Sequence, residues 1–194
     1  MEFQFRKPVE YADSISLRRQ KKWNPIIAAF MNDQLEELKE INRTGTRGRI
    51  FAELVKNMLD ILQIPSKPEP IFDHIEPNKW YLDFSLKYDD IKIRTHEFYN
   101  PDYLFNDGTW LEVTLSENTA YKKLFRYGHQ APLLNVLWLD EDKGLHKKVC
   151  KNVEFPNAKV LNIKEYFSKL RKTTQGKDLI KRFQKLKNLK GIIG

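Results

Sequence analysis

The chain has 194 residues, with 41% hydrophobic and 12% aromatic side chains, which is enough for one domain with a sizeable core and marks a globular rather than a disordered chain. No apolar run approaches the ~18 residues needed to cross a membrane. The first residues carry no signal-peptide apolar region, and the single cysteine, Cys150, rules out an internal disulfide and a cysteine-rich zinc site, so the expected compartment is cytoplasmic. The net charge of +8 is uneven: from Lys143 onward 15 Lys and Arg face three acids, whereas the preceding residues carry a surplus of four acids. A basic end of this kind favours a polyanion such as nucleic acid. A membrane surface fits less well, because the tail lacks a broad apolar stripe with interfacial tryptophans.

Residues 1–24 read as an extended basic arm with Arg18, Arg19, Lys21 and Lys22 in close succession. Pro25 then opens a helix over residues 26–41, where its missing N–H costs nothing. Residues 42–49 read as a loop with an N-cap near Thr46. A second helix covers 47–62, with Ile50, Phe51, Leu54, Val55, Met58, Leu59 and Leu62 as one apolar stripe. Pro65, Pro68 and Pro70 stop it. The middle is β-rich, with strands predicted at 79–87, 91–98, 101–105, 110–115 and 135–139, and a helix over about 118–130 before the last of these. A short strand at 159–161 and helices at 163–172 and 176–190 follow. This order predicts an α/β fold, a mixed central sheet flanked by helices, with an N-terminal arm and helix (1–43), a core (44–140) and a basic helical C-terminal extension (141–194) in one domain.

The chemistry concentrates in Asn100-Pro101-Asp102-Tyr103-Leu104-Phe105-Asn106-Asp107-Gly108-Thr109-Trp110-Leu111-Glu112-Val113-Thr114. If Asn106-Asp107-Gly108 is a three-residue hairpin loop with Gly108 in the left-handed conformation, Phe105 pairs with Thr109 and Asp102 faces Glu112. The two acids then share a face with Thr114, their β-carbons roughly 4.5–5.5 Å apart. Tyr103, Phe105, Leu111, Val113 and Leu115 take the opposite, apolar face. Carboxylates that close repel unless a positive charge sits between them. A hard divalent cation such as Mg2+ or Mn2+ answers that need and keeps waters for substrate phosphates. The competing reading is an exposed hairpin in which Asp102 caps a turn and Glu112 faces solvent. A two-residue Asp107-Gly108 turn would send the acids to opposite faces.

Pro101-Asp102, followed by Glu112-Val113-Thr114 in a hydrophobic strand, resembles the PD-(D/E)XK nuclease superfamily, with its restriction-endonuclease-like core. The resemblance spans roughly residues 44–140: a helix bearing an acid, the motif-bearing meander, then a helix and a further strand. It implies that Asp102 and Glu112 ligate Mg2+ or Mn2+, that Glu53 is a third acid, and that the Val113 carbonyl adds a ligand. The departure is Thr114, where the pattern has a lysine that orients the attacking water. Lys122 or Lys123 on the next helix would then supply the displaced lysine, with Thr114 keeping a polar contact. Relatives include restriction enzymes, junction resolvases, transposase subunits and phage nucleases, and viral cap-snatching enzymes on the same core leave RNA open. Cutting both strands of DNA would need a homodimer or a partner protein.

Arg43, Arg47 and Arg49 would clamp a phosphate backbone, unless they form only a flexible basic loop. Arg126, together with Lys122 and Lys123, would add contacts to nucleic acid, and His129 and Gln130 could touch phosphate or water, although a capping role suits His129 better. His74, His96, His129 and His146 lack zinc-site spacing. No phosphate-cradling glycine loop and no Gly-x-Ser-x-Gly elbow occurs, so no nucleotide cofactor is expected. Trp23, Trp80, Trp110 and Trp138 read as core or flanking residues. Two other classes compete with a nuclease: a catalytically silent DNA-binding subunit on the same fold, and a protein-interaction module whose tail binds an acidic partner.

Overall fold

The computed structural model describes residues 14–41, 45–70, 72–73, 98–150 and 155–193. The predicted strand at 79–87, residues 91–97 of the one predicted at 91–98, the first part of the basic arm, Trp80, His74, His96 and Arg43 lie outside the described residues. The described chain divides into two compact units. One spans Pro65–Asn162; the other holds the residues up to Ile64 and those from Ile163 on.

The helical unit begins differently from the sequence reading. α1 (Ser14–Met31) runs straight through Pro25, so residues 14–24 are helix and not an extended arm. Tertiary packing works against the local proline cost: Ile26, Ala29 and Phe30, just beyond Pro25, are buried, and the Arg49 guanidinium lies 5.7 Å from the Trp23 ring centre. The predicted helix 26–41 is also broken. Asp33 adopts a left-handed backbone (φ 63°), and the Gln34 N–H returns to the Ala29 carbonyl, ending α1 before α2 (Leu35–Ile41) starts. α3 (Thr46–Ile61) buries Ile50, Phe51, Leu54, Val55, Met58 and Leu59, as its periodicity predicts.

In the other unit, the Pro65–Pro70 stretch does more than stop a helix. Ser66–Pro68 forms β1, antiparallel to β4 (Tyr103–Phe105) with Ser66 opposite Phe105. Pro68 is tolerated because β1 is an edge strand. β2 (Phe72–Asp73) and β3 (Phe98–Tyr99) make a separate two-stranded ribbon. β5 (Thr109–Ser116) pairs antiparallel with β4; α4 (Glu117–Tyr127) then leads back to β6 (Leu133–Asp140), parallel to β5. A short α5 (Leu145–Cys150), not read from the sequence, precedes β7 (Ala158–Asn162), parallel to β6. The result is an α/β unit with a five-stranded mixed open sheet in the order β1-β4-β5-β6-β7.

α4 packs across one face of that sheet. Ala120, Leu124, Phe125 and Tyr127 of the helix form one buried cluster with Trp110, Leu134, Val136 and Trp138. Leu111, Val113, Leu137 and Leu139, pointing to the other face, are buried as well. Cys150 is fully buried in the α4 cluster, which pushes its thiol up to about 11.

The chain then re-enters the helical unit with a 3-10 turn (Ile163–Tyr166), α6 (Phe167–Leu170) and α7 (Thr174–Asn188). Phe183 of α7 meets Phe51 edge-on at 5.9 Å and stacks on Phe167 at 6.1 Å. Among the described residues no helix is long and apolar enough to cross a membrane.

Candidate functional site

The hairpin loop sets the site. Gly108 is left-handed (φ 85°), its N–H returns to the Phe105 carbonyl at 3.0 Å, and the Asp107 carboxylate accepts from the Thr109 N–H at 2.9 Å. Tyr103 lies opposite Leu111 and Leu104 opposite Trp110, which is the register of a three-residue loop. One step further down the ladder, Asp102 faces Glu112. The Glu69 N–H holds the Asp102 carbonyl at 3.0 Å, and Asp102 Oδ2 accepts from the Val113 N–H at 2.7 Å. The first residue of the acid pair is thus fixed from both sides.

α4 completes the arrangement. Ser116 ends β5 and caps the helix by accepting from the Thr119 N–H at 3.1 Å, so the helix folds at once over the face that carries the acids. Two turns in, Lys123 points down to that face. Its ammonium donates to Glu112 Oε2 at 2.5 Å, to the Val113 carbonyl at 2.8 Å and to Asp102 Oδ2 at 3.3 Å. Lys122, one residue earlier and therefore rotated about 100° around the helix, is exposed.

Glu112 does not face solvent, as the competing hairpin reading had it. Trp110 and Leu104 share its face, α4 covers that face, and the Glu112 side chain is only 2% exposed, whereas those of Asp102 and Lys123 are 30% and 26% exposed. Alternation tells which residues share a face; it does not tell what lies on top. Burial drives the Glu112 carboxyl up to about 8, with the Asp102 charge adding to the rise and Lys123 opposing it. Burial pulls the Lys123 ammonium down, but Glu112 and Asp102 more than compensate and hold it above its ordinary value. Tyr127, one turn beyond Lys123, is raised by burial and then by the Glu112 charge. The sequence reading did not select Tyr127; its i+4 spacing from Lys123 was the available signal.

The other candidates lie as follows in the two units. Thr114 is half-buried on β5. Glu53 is half-buried on α3 in the helical unit, while Asp102, Glu112 and Lys123 belong to the sheet unit. Arg47 corrects the expected phosphate clamp: it is 5% exposed, and its Nε donates to the Leu186 carbonyl at 3.0 Å, tying α3 to α7. Arg49 sits against Trp23. Gln130 is buried at 3% exposure, which removes it from any surface contact with phosphate. His129 packs edge-on against Tyr99 at 5.8 Å, with Nε2 3.5 Å from the tyrosine hydroxyl. Arg126 is exposed, its guanidinium 5.2 Å from the Tyr127 ring centre. A cavity of about 310 Å³ lined by Lys67, Leu104, Phe105, Asn106, Gly108, Trp110 and Pro132 lies at the turn end of the hairpin and contains none of the candidate acids.

No family model, curated protein or solved structure matches this chain. Two carboxylates and a main-chain carbonyl converge on one positive charge, and all three are hard oxygen donors. Among the described residues Glu112 Oε1 has no hydrogen-bond partner, an unusual state for a buried carboxylate oxygen. No group of three His, Cys, Asp or Glu side chains able to hold a metal occurs among the described residues. The donor set still fits Mg2+ or Mn2+, which bind through one or two carboxylates and take their remaining ligands from water and substrate phosphate.

Proposed function

We propose that this chain is a divalent-cation-dependent endonuclease that hydrolyses phosphodiester bonds in DNA, on a restriction-endonuclease-like variant of its mixed-sheet fold. The observation that carries the reading is the convergence of Asp102, Glu112 and the Val113 carbonyl on a single cationic point. In this reading those three groups hold the cation. Bound Mg2+ or Mn2+ supplies Lewis acidity towards a phosphate oxygen and lowers the pKa of a water.

Lys123 takes the part of the lysine missing at Thr114. A lysine arriving from α4 delivers its ammonium to the same oxygens as one carried on β5, because the helix lies directly over the strand. Released from the carboxylates, the ammonium is a donor for a non-bridging phosphate oxygen or for the attacking water, and steadies the charge that builds as the P–O bond breaks. Lys122 and Arg126, exposed on α4, approach the flanking backbone. In the helical unit, Lys169, Arg171, Lys172, Lys177, Lys181 and Lys190 are all exposed and give the polyanion affinity that the charge asymmetry predicts. Cutting both strands calls for a second copy of the site, in a homodimer or a partner.

The test is nicking of supercoiled plasmid with Mg2+ or Mn2+. Asp102→Ala and Glu112→Ala are expected to reduce nicking to background, and unchanged nicking in both ends the nuclease reading. A second reading, a silent DNA-binding subunit, is favoured by Lys123 itself, whose ammonium already neutralises the acids. It requires steeply salt-dependent duplex binding and no nicking by wild type.

A further inference from the structure

We infer that Lys123 makes cation binding at this site conditional on a phosphodiester, so that the divalent ion and the nucleic acid bind cooperatively; this rests on the metal-site reading above. The ammonium has three N–H donors, and three oxygens take them: Glu112 Oε2 at 2.5 Å, the Val113 carbonyl at 2.8 Å and Asp102 Oδ2 at 3.3 Å. These are the oxygens the cation would need. Magnesium requires them at about 2.0–2.1 Å, so ammonium and metal cannot share the point. The cation must displace Lys123 before it can bind.

The displaced side chain has a way out. Lys123 is 26% exposed and its neighbour Lys122 is exposed, so the flexible stem can carry the ammonium outward without unwinding α4. Once out, it faces a dication across a short gap and is repelled. A phosphodiester at the mouth of the site reverses that penalty, because it pairs with the ammonium on one side and offers oxygens to the cation on the other. Without it, the protein's own lysine is the better occupant. Since coupling between two ligands is reciprocal, the cation must raise phosphodiester affinity by the same factor.

Isothermal titration of the full chain with Mn2+, with and without a short phosphorothioate-protected duplex, reads this directly. Lys123→Met is expected to bind Mn2+ at least about tenfold more tightly than wild type when no duplex is present, a factor within the usual range of coupling between sites. Lys123→Gln, which keeps a neutral donor for Glu112, should lie on the same side and guards against a misfolded methionine variant. Adding duplex should tighten Mn2+ binding to wild type and shift the variants much less. Equal Mn2+ affinities for wild type and both variants without duplex, or a wild-type titration that duplex leaves unmoved, overturns the inference while the metal site stands. If no form of the protein binds Mn2+ under either condition, the metal-site reading itself fails, and the inference falls with it.

Discussion

Two lysine–carboxylate clusters sit along the same helix, α4, and are built in opposite ways. At its N-terminus, Lys147 of α5 pairs with Glu117. The Asn118 N–H donates to Asp142 Oδ1 at 2.7 Å, the Lys147 N–H donates to Asn118 Oδ1 at 3.1 Å, and Ser116 supplies the cap. Charges and backbone groups alternate there, and each named donor ends on an acceptor. Midway along the helix, Lys123 has the same 26% exposure as Lys147, yet it faces two acids, one of them deeply buried with an oxygen left over. The first cluster fastens a helix to a loop. The second sets two carboxyl groups side by side where solvation is poorest, an arrangement that fastening alone does not require.

Removing the lysine from each cluster should separate them most clearly. Lys123→Ala leaves Glu112 buried without a counter-charge. The expected loss is about 3–5 kcal/mol in urea denaturation above pH 8, where Glu112 of the wild type is ionised against Lys123, and less at lower pH, where it carries a proton in both proteins. Lys147→Ala acts on a more exposed pair and should cost much less at every pH. Equal losses would make the Glu112 cluster a second fastening.

The pH dependence sharpens the same contrast. The folded-state pKa of Glu112 lies at about 8, above the ordinary carboxyl value of 4.5 that the unfolded chain would show. Between those values the folded protein holds the extra proton, so this group's stabilisation is complete below about 4.5 and is lost as pH rises through about 8. Unfolding free energy should therefore fall across this window, with a slope of at most about 1.4 kcal/mol per pH unit from this one group. Glu112→Gln should flatten that slope. A slope identical in both proteins would mean that Glu112 titrates like a surface acid.

The sequence made the hairpin legible because Gly108 and the three-residue loop fix the register, and register fixes which side chains share a face. It left Lys122 and Lys123 undecided for a related reason. Adjacent helical residues point about 100° apart, so the choice depends on where the helix starts. The predicted start at Asn118 is one residue late; Ser116 as the cap begins the helix at Glu117. What covers the acids was not legible, since alternation carries no information about the opposing layer. β1 was hidden because proline in a strand is tolerated only at an edge, and edges are set by the whole sheet. The first turns of α1 were hidden because Pro25 interrupts the local pattern, and local rules cannot see the burial of Ile26, Ala29 and Phe30 beyond it.

The smallest effect concerns whether the two clusters communicate through α4. A side chain at Gly144 would meet the Asn118 side chain, its Cβ only 2.2–2.5 Å from the amide group. Gly144→Ala must therefore turn Asn118 away, which breaks its bond from the Lys147 N–H and should cost about 1 kcal/mol in thermal or urea unfolding. Asn118 and Lys123 are five residues apart, about 7.5 Å along the helix axis. If α4 is held in place mainly by Ala120, Leu124 and Phe125 against the sheet, the substitution lowers stability and leaves Mn2+ affinity within about twofold, because sites that share no partner are nearly additive. A larger change in Mn2+ affinity would mean that the staple sets the height of Lys123 above Glu112, and that fastening and binding along this helix are one mechanism.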